Sequence, residues 1–185
     1  MDELKKTVIE TERLILSPVT EADCTAAYLG WLNDSEVNKY LESGFRKHTM
    51  PDLLDFVRTQ EKKAALFLAI KIKSNLKHIG NIKMEAVHPH HKTSEYGIMT
   101  GDKTEWGRGY AKEASVAVIN YCFEKLGVRK ITLGVITENK PAYEMYKKLG
   151  FKEEGLYKEH YFSNGVFLDV ARMAVFRDEW ISQKN

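Results

Sequence analysis

The chain has 185 residues, 43% hydrophobic and 29% charged, with a net charge of +2. That is enough for one domain with a full core, and it lacks the basic excess by which proteins bind nucleic acid or an anionic membrane surface. No apolar run approaches the roughly 20 residues of a membrane helix.

Met1-Asp2-Glu3-Leu4-Lys5-Lys6 leads into no apolar stretch, so no secretory signal is expected. The two cysteines, Cys24 and Cys122, lie in helix-like apolar patterns without metal-ligand spacing, which suits reduced thiols in a cytoplasmic protein. Residues 10–19 read as a short apolar strand closed by Pro18. Thr20 is placed as an N-cap, with Asp23 completing a capping box, and Ala22, Ala26 and Leu29 mark a helical face that ends around Gly30-Trp31-Leu32. Residues 33–46 mix aromatics, amides and charges without a period, as either a solvated connection or a functional loop would. Thr49 caps a second helix with Pro51 in its first turn, where a missing N–H costs little; Leu54, Phe56 and Val57 are its expected inward residues.

Residues 65–72 and 78–87 form a hairpin pattern turned at Ser74-Asn75, with Gly80 at a bulge. His88-Pro89-His90-His91 makes the next turn. Three histidines invite a metal, but no cysteine or carboxylate completes a ligand spacing, and none is expected. A strand pattern at 95–99 ends at Thr100-Gly101-Asp102. After it come Thr104-Glu105-Trp106-Gly107-Arg108-Gly109-Tyr110-Ala111-Lys112-Glu113-Ala114 and a helix, with Ala111, Ala114, Val118, Cys122 and Leu126 three or four apart and Gly127 as its stop. Residues 129–137 are the next strand, with Ile131, Leu133 and Val135 on one face and Thr132, Gly134 and Ile136 on the other. Strand, helix, strand implies a parallel crossover. Asn139 caps a fourth helix that stops at Leu149-Gly150. Residues 151–157 and 166–176 are the last strands, joined at Ser163-Asn164-Gly165, and the polar tail beyond Trp180 is expected to fray. The order β-α-α-β-β-β-α-β-α-β-β is mixed α/β, read as one domain over 1–185.

Strand, glycine turn and helix start are the parts of a phosphate cradle. Glycines let the backbone approach the anion, and the helix N-terminus offers unpaired N–H groups with about half a positive charge. Arg108 adds a cation. A dinucleotide fingerprint fails because Lys112 stands at its third glycine, and no P-loop string is present. What remains resembles motif A of the GNAT acetyltransferase superfamily, Gln/Arg-x-x-Gly-x-Gly/Ala. Gly107 and Gly109 match it, Thr104 departs from it, and the longer string is similar to the ribosomal-protein N-terminal acetyltransferase branch. A second string, Asn139-Lys140-Pro141-Ala142-Tyr143-Glu144-Met145-Tyr146-Lys147-Lys148-Leu149-Gly150-Phe151, is similar to the family's Asn-x-x-Ala/Ser-x-x-x-Tyr…Leu-Gly-Phe signature. A capped amphipathic helix alone accounts for its composition but not for its distance from the first string.

The resemblance implies a mixed, mostly antiparallel seven-stranded sheet flanked by about four helices, with a V-shaped cleft where two central parallel strands part. It implies that acetyl-CoA is held through its pyrophosphate by the backbone of Trp106, Gly107, Arg108, Gly109, Tyr110 and Ala111, that Asn139 touches the pantetheine arm, and that Tyr146 protonates the leaving thiolate. It makes residues 33–48 one wall of an acceptor pocket. A general base is sought among Glu95, Glu85 and His160, with Glu95 leading because it stands beside the cleft. Asp169 interrupts an apolar strand, as a buried hydrogen-bonded carboxylate or as an acceptor-site anion.

The activity implied is acetyl-CoA-dependent N-acetylation of a primary amine by direct attack, since no cysteine sits in either string. The acceptor is a protein N-terminus or, alternatively, a small amine such as an amino sugar, polyamine or aminoglycoside. A non-catalytic acyl-CoA-binding module is the rival from another class. The chain is expected to act as a monomer or homodimer.

Overall fold

The computed structural model describes residues 4–182. Its chain divides into two compact units. One runs up to Ala86 and takes in Gly97–Val118; the other takes Val87–Tyr96 and the chain from Ile119 onward. Each unit is built from two segments, so no single cut in the sequence separates them.

In the first unit, β1 (Ile9–Glu10), β2 (Leu14–Pro18), β3 (Leu66–Ile72) and β4 (His78–Met84) follow one another as neighbours, and β5 (Thr93–Thr100) comes next to β4. The first four pair antiparallel, and the β3–β4 register shifts between Ile70 and Lys71, opposite Gly80 and His78. Gly80 is required there, because a Cβ would stand 2.2 Å from the Met99 carbonyl oxygen. The expected strand over 10–19 is therefore two strands, the short β1 and then β2, turned where Thr11 N–H donates to Leu14 O.

Thr20 and Asp23 form the expected capping box, but around a single 3-10 turn; helix α1 (Ala26–Asn33) has its own cap in Thr25. Helix α2 (Met50–Glu61) starts at the capping box of Thr49 and Asp52. Its buried face is Leu53, Val57 and Gln60, whereas Leu54 is half-buried and Phe56 is 44% exposed. The i, i+4, i+7 stripe thus begins one residue earlier than expected. Phe56 closes the edge of this face with its ring edge-on to Phe67 at 5.8 Å. Val19, Tyr28, Trp31, Leu53, Val57 and Ala69 form one buried cluster.

The second unit contains the first half of β5, then β6 (Lys130–Ile136), β8 (Val166–Phe176) and β7 (Lys152–Ser163), in that spatial order. β5 and β6 are parallel, as a strand–helix–strand connection requires, while β6–β8 and β7–β8 are antiparallel. Helix α3 (Tyr110–Lys125) buries Ala114, Val118 and Cys122, as the pattern predicts, and also Ile119 and Phe123. Gly127 follows at φ +63°, the left-handed stop. Helix α4 (Lys140–Lys148) starts at Asn139, whose side-chain oxygen accepts from the Ala142 N–H at 3.4 Å.

β7 and β8 turn at Asn164 (φ 50°) and Gly165 (φ 82°). The pair of positive angles makes a type I′ hairpin turn, the geometry for which Asn-Gly is the strongest short signal. The described residues thus hold eight strands and five α-helices, against the seven and about four expected. The additions are β1 and α5 (Arg177–Ser182), which buries Trp180 against Phe123 and bonds its indole to Asn120. The part of the tail read as fraying beyond Ser182 lies outside the described residues.

Candidate active site

The phosphate-type loop lies in the first unit. Asp102 caps a 3-10 turn over Lys103–Glu105 by accepting from Thr104 N–H at 2.9 Å. Trp106 closes that turn. Its own N–H donates to Lys103 O at 3.2 Å, and its indole N–H donates to Thr100 O at 2.8 Å, tying the loop back to the end of β5. Gly107 (φ +75°) and Gly109 (φ +80°) follow, and α3 begins at Tyr110. Two left-handed glycines flank Arg108, next to the first N–H groups of α3, which have no partner within the helix. Nothing lies within 4 Å of the place where a Cβ would stand on Gly107, so the loop is open at that point. Backbone donors beside a turn that is open at Gly107, with Arg13 Nη2 3.6 Å from where a Cβ would stand on Gly109, fit a pyrophosphate.

Two cations line this loop. Arg108 is 3.3 Å from Glu105, and more than half of its side chain is exposed. Arg13, which no local pattern singled out, sits 95 residues earlier in the chain and donates from Nη1 to Arg108 O at 3.0 Å. Its Nε and Nη2 both reach Glu113 Oε2 at 2.6 Å, and its guanidinium lies over the Tyr110 ring at 4.6 Å. Glu113 Oε1 takes the Thr11 hydroxyl at 2.6 Å and the Arg13 N–H at 2.9 Å. Burial alone would raise the Glu113 carboxyl, but these donors outweigh it and hold it below its usual range. Lys77 braces the turn from the other side, reaching Asp102 at 2.8 Å and Glu105 at 2.9 Å.

Tyr146, Asn139 and Glu95 all belong to the second unit. Tyr146 is 7% exposed. Its ring stands edge-on to Tyr96 at 5.8 Å and 5.9 Å from Phe151. Among the described residues its hydroxyl has no hydrogen-bond partner. Burial pushes its acidity far down, so the hydroxyl keeps its proton throughout the neutral range. Asn139 uses its carbonyl oxygen as the α4 cap, which leaves its amide N–H groups facing away from that bond.

Glu95 precedes Tyr96 on β5, so the two side chains point to opposite faces of the sheet. Glu95 Oε2 accepts from Thr132 at 2.6 Å and from Arg172 at 2.9 Å, and Oε1 lies 2.8 Å from Arg172. The parallel ladder pairs Thr93, Ser94 and Glu95 with Lys130, Ile131 and Thr132, although β6 continues to Ile136. Tyr146, reached through Tyr96, and the Glu95–Arg172 pair therefore stand on opposite faces of β5 at the last paired residue.

The other carboxylates and histidines have plainer surroundings. Glu85 is half-buried and paired with Lys83. His160 is exposed beside Tyr157. Asp169 is half-buried, and its Oδ1 accepts from the Glu159 N–H at 2.7 Å and pins the left-handed Glu159 (φ 49°) in the β7 irregularity. His88 and His91 stack at 4.2 Å in their turn, with His88 Nδ1 accepting from the His90 and His91 N–H groups. Residues 33–48 are pinned by Asn33, which donates to His48 O at 3.0 Å and accepts from His48 N–H at 2.8 Å.

A family model for an acetyltransferase (GNAT) domain matches residues 13–152, which spans both strings and the strands around them. The chain belongs to the GNAT acetyltransferase family. The uncharacterized N-acetyltransferase YoaA of Bacillus subtilis is 29% identical over 168 residues, covering 88% of this chain and 93% of that protein. A spermidine N(1)-acetyltransferase of Vibrio cholerae is 30% identical over 105 residues, 57% of this chain and 60% of that one. Among solved structures, spermidine N-acetyltransferase from Vibrio cholerae in complex with CoA and spermine superimposes with a TM-score of 0.82 at 23% identity, over 92% of this chain and 99% of the other. At that identity the superposition speaks for the fold alone. The GNAT chain described here is thus an acyltransferase enzyme, an N-acetyltransferase by family, and no helix among its described residues is long and apolar enough to cross a membrane.

Proposed function

We propose that this GNAT enzyme transfers the acetyl group of acetyl-CoA directly to a primary amine, with Tyr146 as general acid. The observation that carries this reading is Tyr146 itself: a buried, protonated hydroxyl with no partner among the described residues, on a ring edge-on to Tyr96, the residue after the last pair of the parallel ladder. The acceptor nitrogen bonds to the acetyl carbonyl carbon, the carbon–sulfur bond breaks, and the thiolate takes a proton. Tyr146 supplies that proton and regains one from solvent. The N–H groups of Gly107 through Ala111, with Arg108 and Arg13 beside them, hold the pyrophosphate. The Trp106 N–H is spent on Lys103, and its indole fixes the loop instead. Asn139 offers its amide to the pantetheine arm.

An amine with a pKa near 10 must lose a proton before it attacks. Glu95, anchored by Thr132 and Arg172, holds and orients the amine and passes its proton to water. For the acceptor, the loop string supports a protein N-terminus of the ribosomal-protein type. The names of the spermidine-acetylating relatives support a small amine.

Tyr146→Phe decides the acid role. Turnover is expected to fall about 10²-fold with acetyl-CoA affinity unchanged, read by thiol release and by equilibrium titration. An unaltered turnover number removes Tyr146 from the mechanism. If acetyl-CoA binds but no amine in a broad panel releases thiol, the chain is an acyl-CoA-binding module instead.

A further inference from the structure

Arg172 enters the reading above only as an anchor of Glu95, yet it stands on the same face of the sheet as that carboxylate. Its Nη2 is committed to Glu95, at 2.9 Å from Oε2 and 2.8 Å from Oε1. Its remaining donors, Nη1 and Nε, have no hydrogen-bond partner among the described residues. The side chain is partly exposed, at 28%. Nη1 lies over Gly134, the residue that pairs with Arg172 across the β6–β8 ladder. A Cβ on Gly134 would stand 2.9 Å from Nη1 and 3.2 Å from Val170 Cγ1. Gly134 is not among the residues with positive φ, so this glycine is not required by the backbone; what its missing side chain does is leave room for the guanidinium.

The result is a fixed cation beside a fixed anion on one partly exposed patch of sheet, with the Tyr157 ring 5.8 Å from the guanidinium. Glu95 suits an ammonium or amine. Arg172, with a planar fork and unspent donors, suits an oxygen close by. A polyamine carries several cations and no oxygen. It would gain from Glu95 and be repelled by Arg172. An α-amino acyl compound carries both groups two bonds apart, an amine and then a carbonyl or carboxylate oxygen.

Building on the transferase reading above, we propose that Arg172, seated over Gly134 and oriented by Glu95, is the acceptor-specificity residue, and that the acceptor class is an α-amino acyl compound, such as a peptide N-terminus, rather than a polyamine.

The test uses the full chain with acetyl-CoA and three acceptors: an alanyl-initiated peptide, the same peptide with its first amide replaced by a trans-alkene, which removes the carbonyl oxygen without adding a basic nitrogen, and spermidine. Thiol release gives kcat/KM for each, and calorimetry gives acceptor binding in the presence of CoA. The native enzyme is expected to prefer the peptide over its alkene analogue by roughly ten- to a hundredfold, the range for one hydrogen bond to a charged group. Arg172→Gln should collapse that ratio to within about threefold, with the KM for acetyl-CoA held. Arg172→Lys should recover part of it. Gly134→Ala, which displaces Nη1 without removing the charge, should lower the ratio as well, and it decides the matter by the same ratio if Arg172→Gln does not fold.

A loss of equal size on all three acceptors would show a structural role and overturn the proposal. Spermidine as the preferred acceptor, with selectivity indifferent to Arg172, would also overturn it while leaving the transferase standing. No release with any acceptor would overturn both.

Discussion

Gly101 and Gly107 flank the same 3-10 turn but are glycine for different reasons. At Gly101 a Cβ would stand 2.1 Å from Trp31 Cδ2 in the buried cluster. Gly101→Ala therefore forces the indole out of place and is expected to destabilise the fold by about 1–3 kcal/mol, as overpacking does. At Gly107 the space is open but φ is +75°. Gly107→Ala costs about 1 kcal/mol in backbone conformation, and it disturbs the N–H groups proposed to hold the pyrophosphate. Denaturant unfolding and acetyl-CoA titration separate the two: the first variant should lose mainly stability, the second mainly affinity. A Gly107→Ala protein that binds acetyl-CoA as tightly as the native chain would remove the loop from its proposed role. The sequence carried the glycine spacing at Gly107 and Gly109 openly. It carried nothing to show that Gly101 is pressed against Trp31, because that contact joins residues 70 positions apart by fold alone.

At the scale of elements, the start of α3 depends on a partner from the other end of the unit. Arg13 leaves the turn before β2, grips Glu113 in the first turn of α3 and donates to Arg108 O. Glu113 has its carboxyl held down by Thr11 and Arg13 against the opposing effect of burial. A carboxyl lowered in the folded state contributes stability that is present above its unfolded value, near 4.5, and is lost as pH falls through the lowered folded value. Acid unfolding should therefore begin below about pH 4.5. Glu113→Gln should be less stable at neutral pH and show a shallower acid limb in a pH series of denaturant midpoints; an unchanged limb would mean that Glu113 does not couple to folding. Glu113 was legible as a member of the string after the glycines, but its bond to Arg13 was not. The hairpin turn is the opposite case. Asn164-Gly165 is a two-residue signal read from neighbours in sequence, and its φ values of 50° and 82° are those the signal demands. The α2 face shows the middle case: Val57 is buried as expected, but Leu53 and not Leu54 lies on the same face, and the apolar Phe56 sits at the edge against Phe67.

For the whole molecule, the proposed cradle makes ligand binding and stability one measurement. Acetyl-CoA at about 100 times its Kd should stabilise the protein by roughly 2.7 kcal/mol. For a chain of this size that raises the Tm by on the order of 5–10 °C. CoA should give a comparable shift, while a pantetheine fragment lacking the pyrophosphate should give little. An equal shift from that fragment would place the binding energy away from the loop.

The two strings, the family they signal and most of the elements were carried by the sequence, because each rests on periodicity, capping or turn residues acting over fewer than about fifteen positions, and the parallel sense of β5 and β6 followed from the helix between them. The tertiary structure decided which side chains meet: Arg13 with Glu113, Glu95 with Arg172 over Gly134, Tyr146 with Tyr96. Those pairings come from strand order and register, and a register of period two sends neighbouring residues such as Glu95 and Tyr96 to opposite faces. No local signal encodes which distant strand will lie alongside, so the chemistry of each face became visible only once the strands were paired.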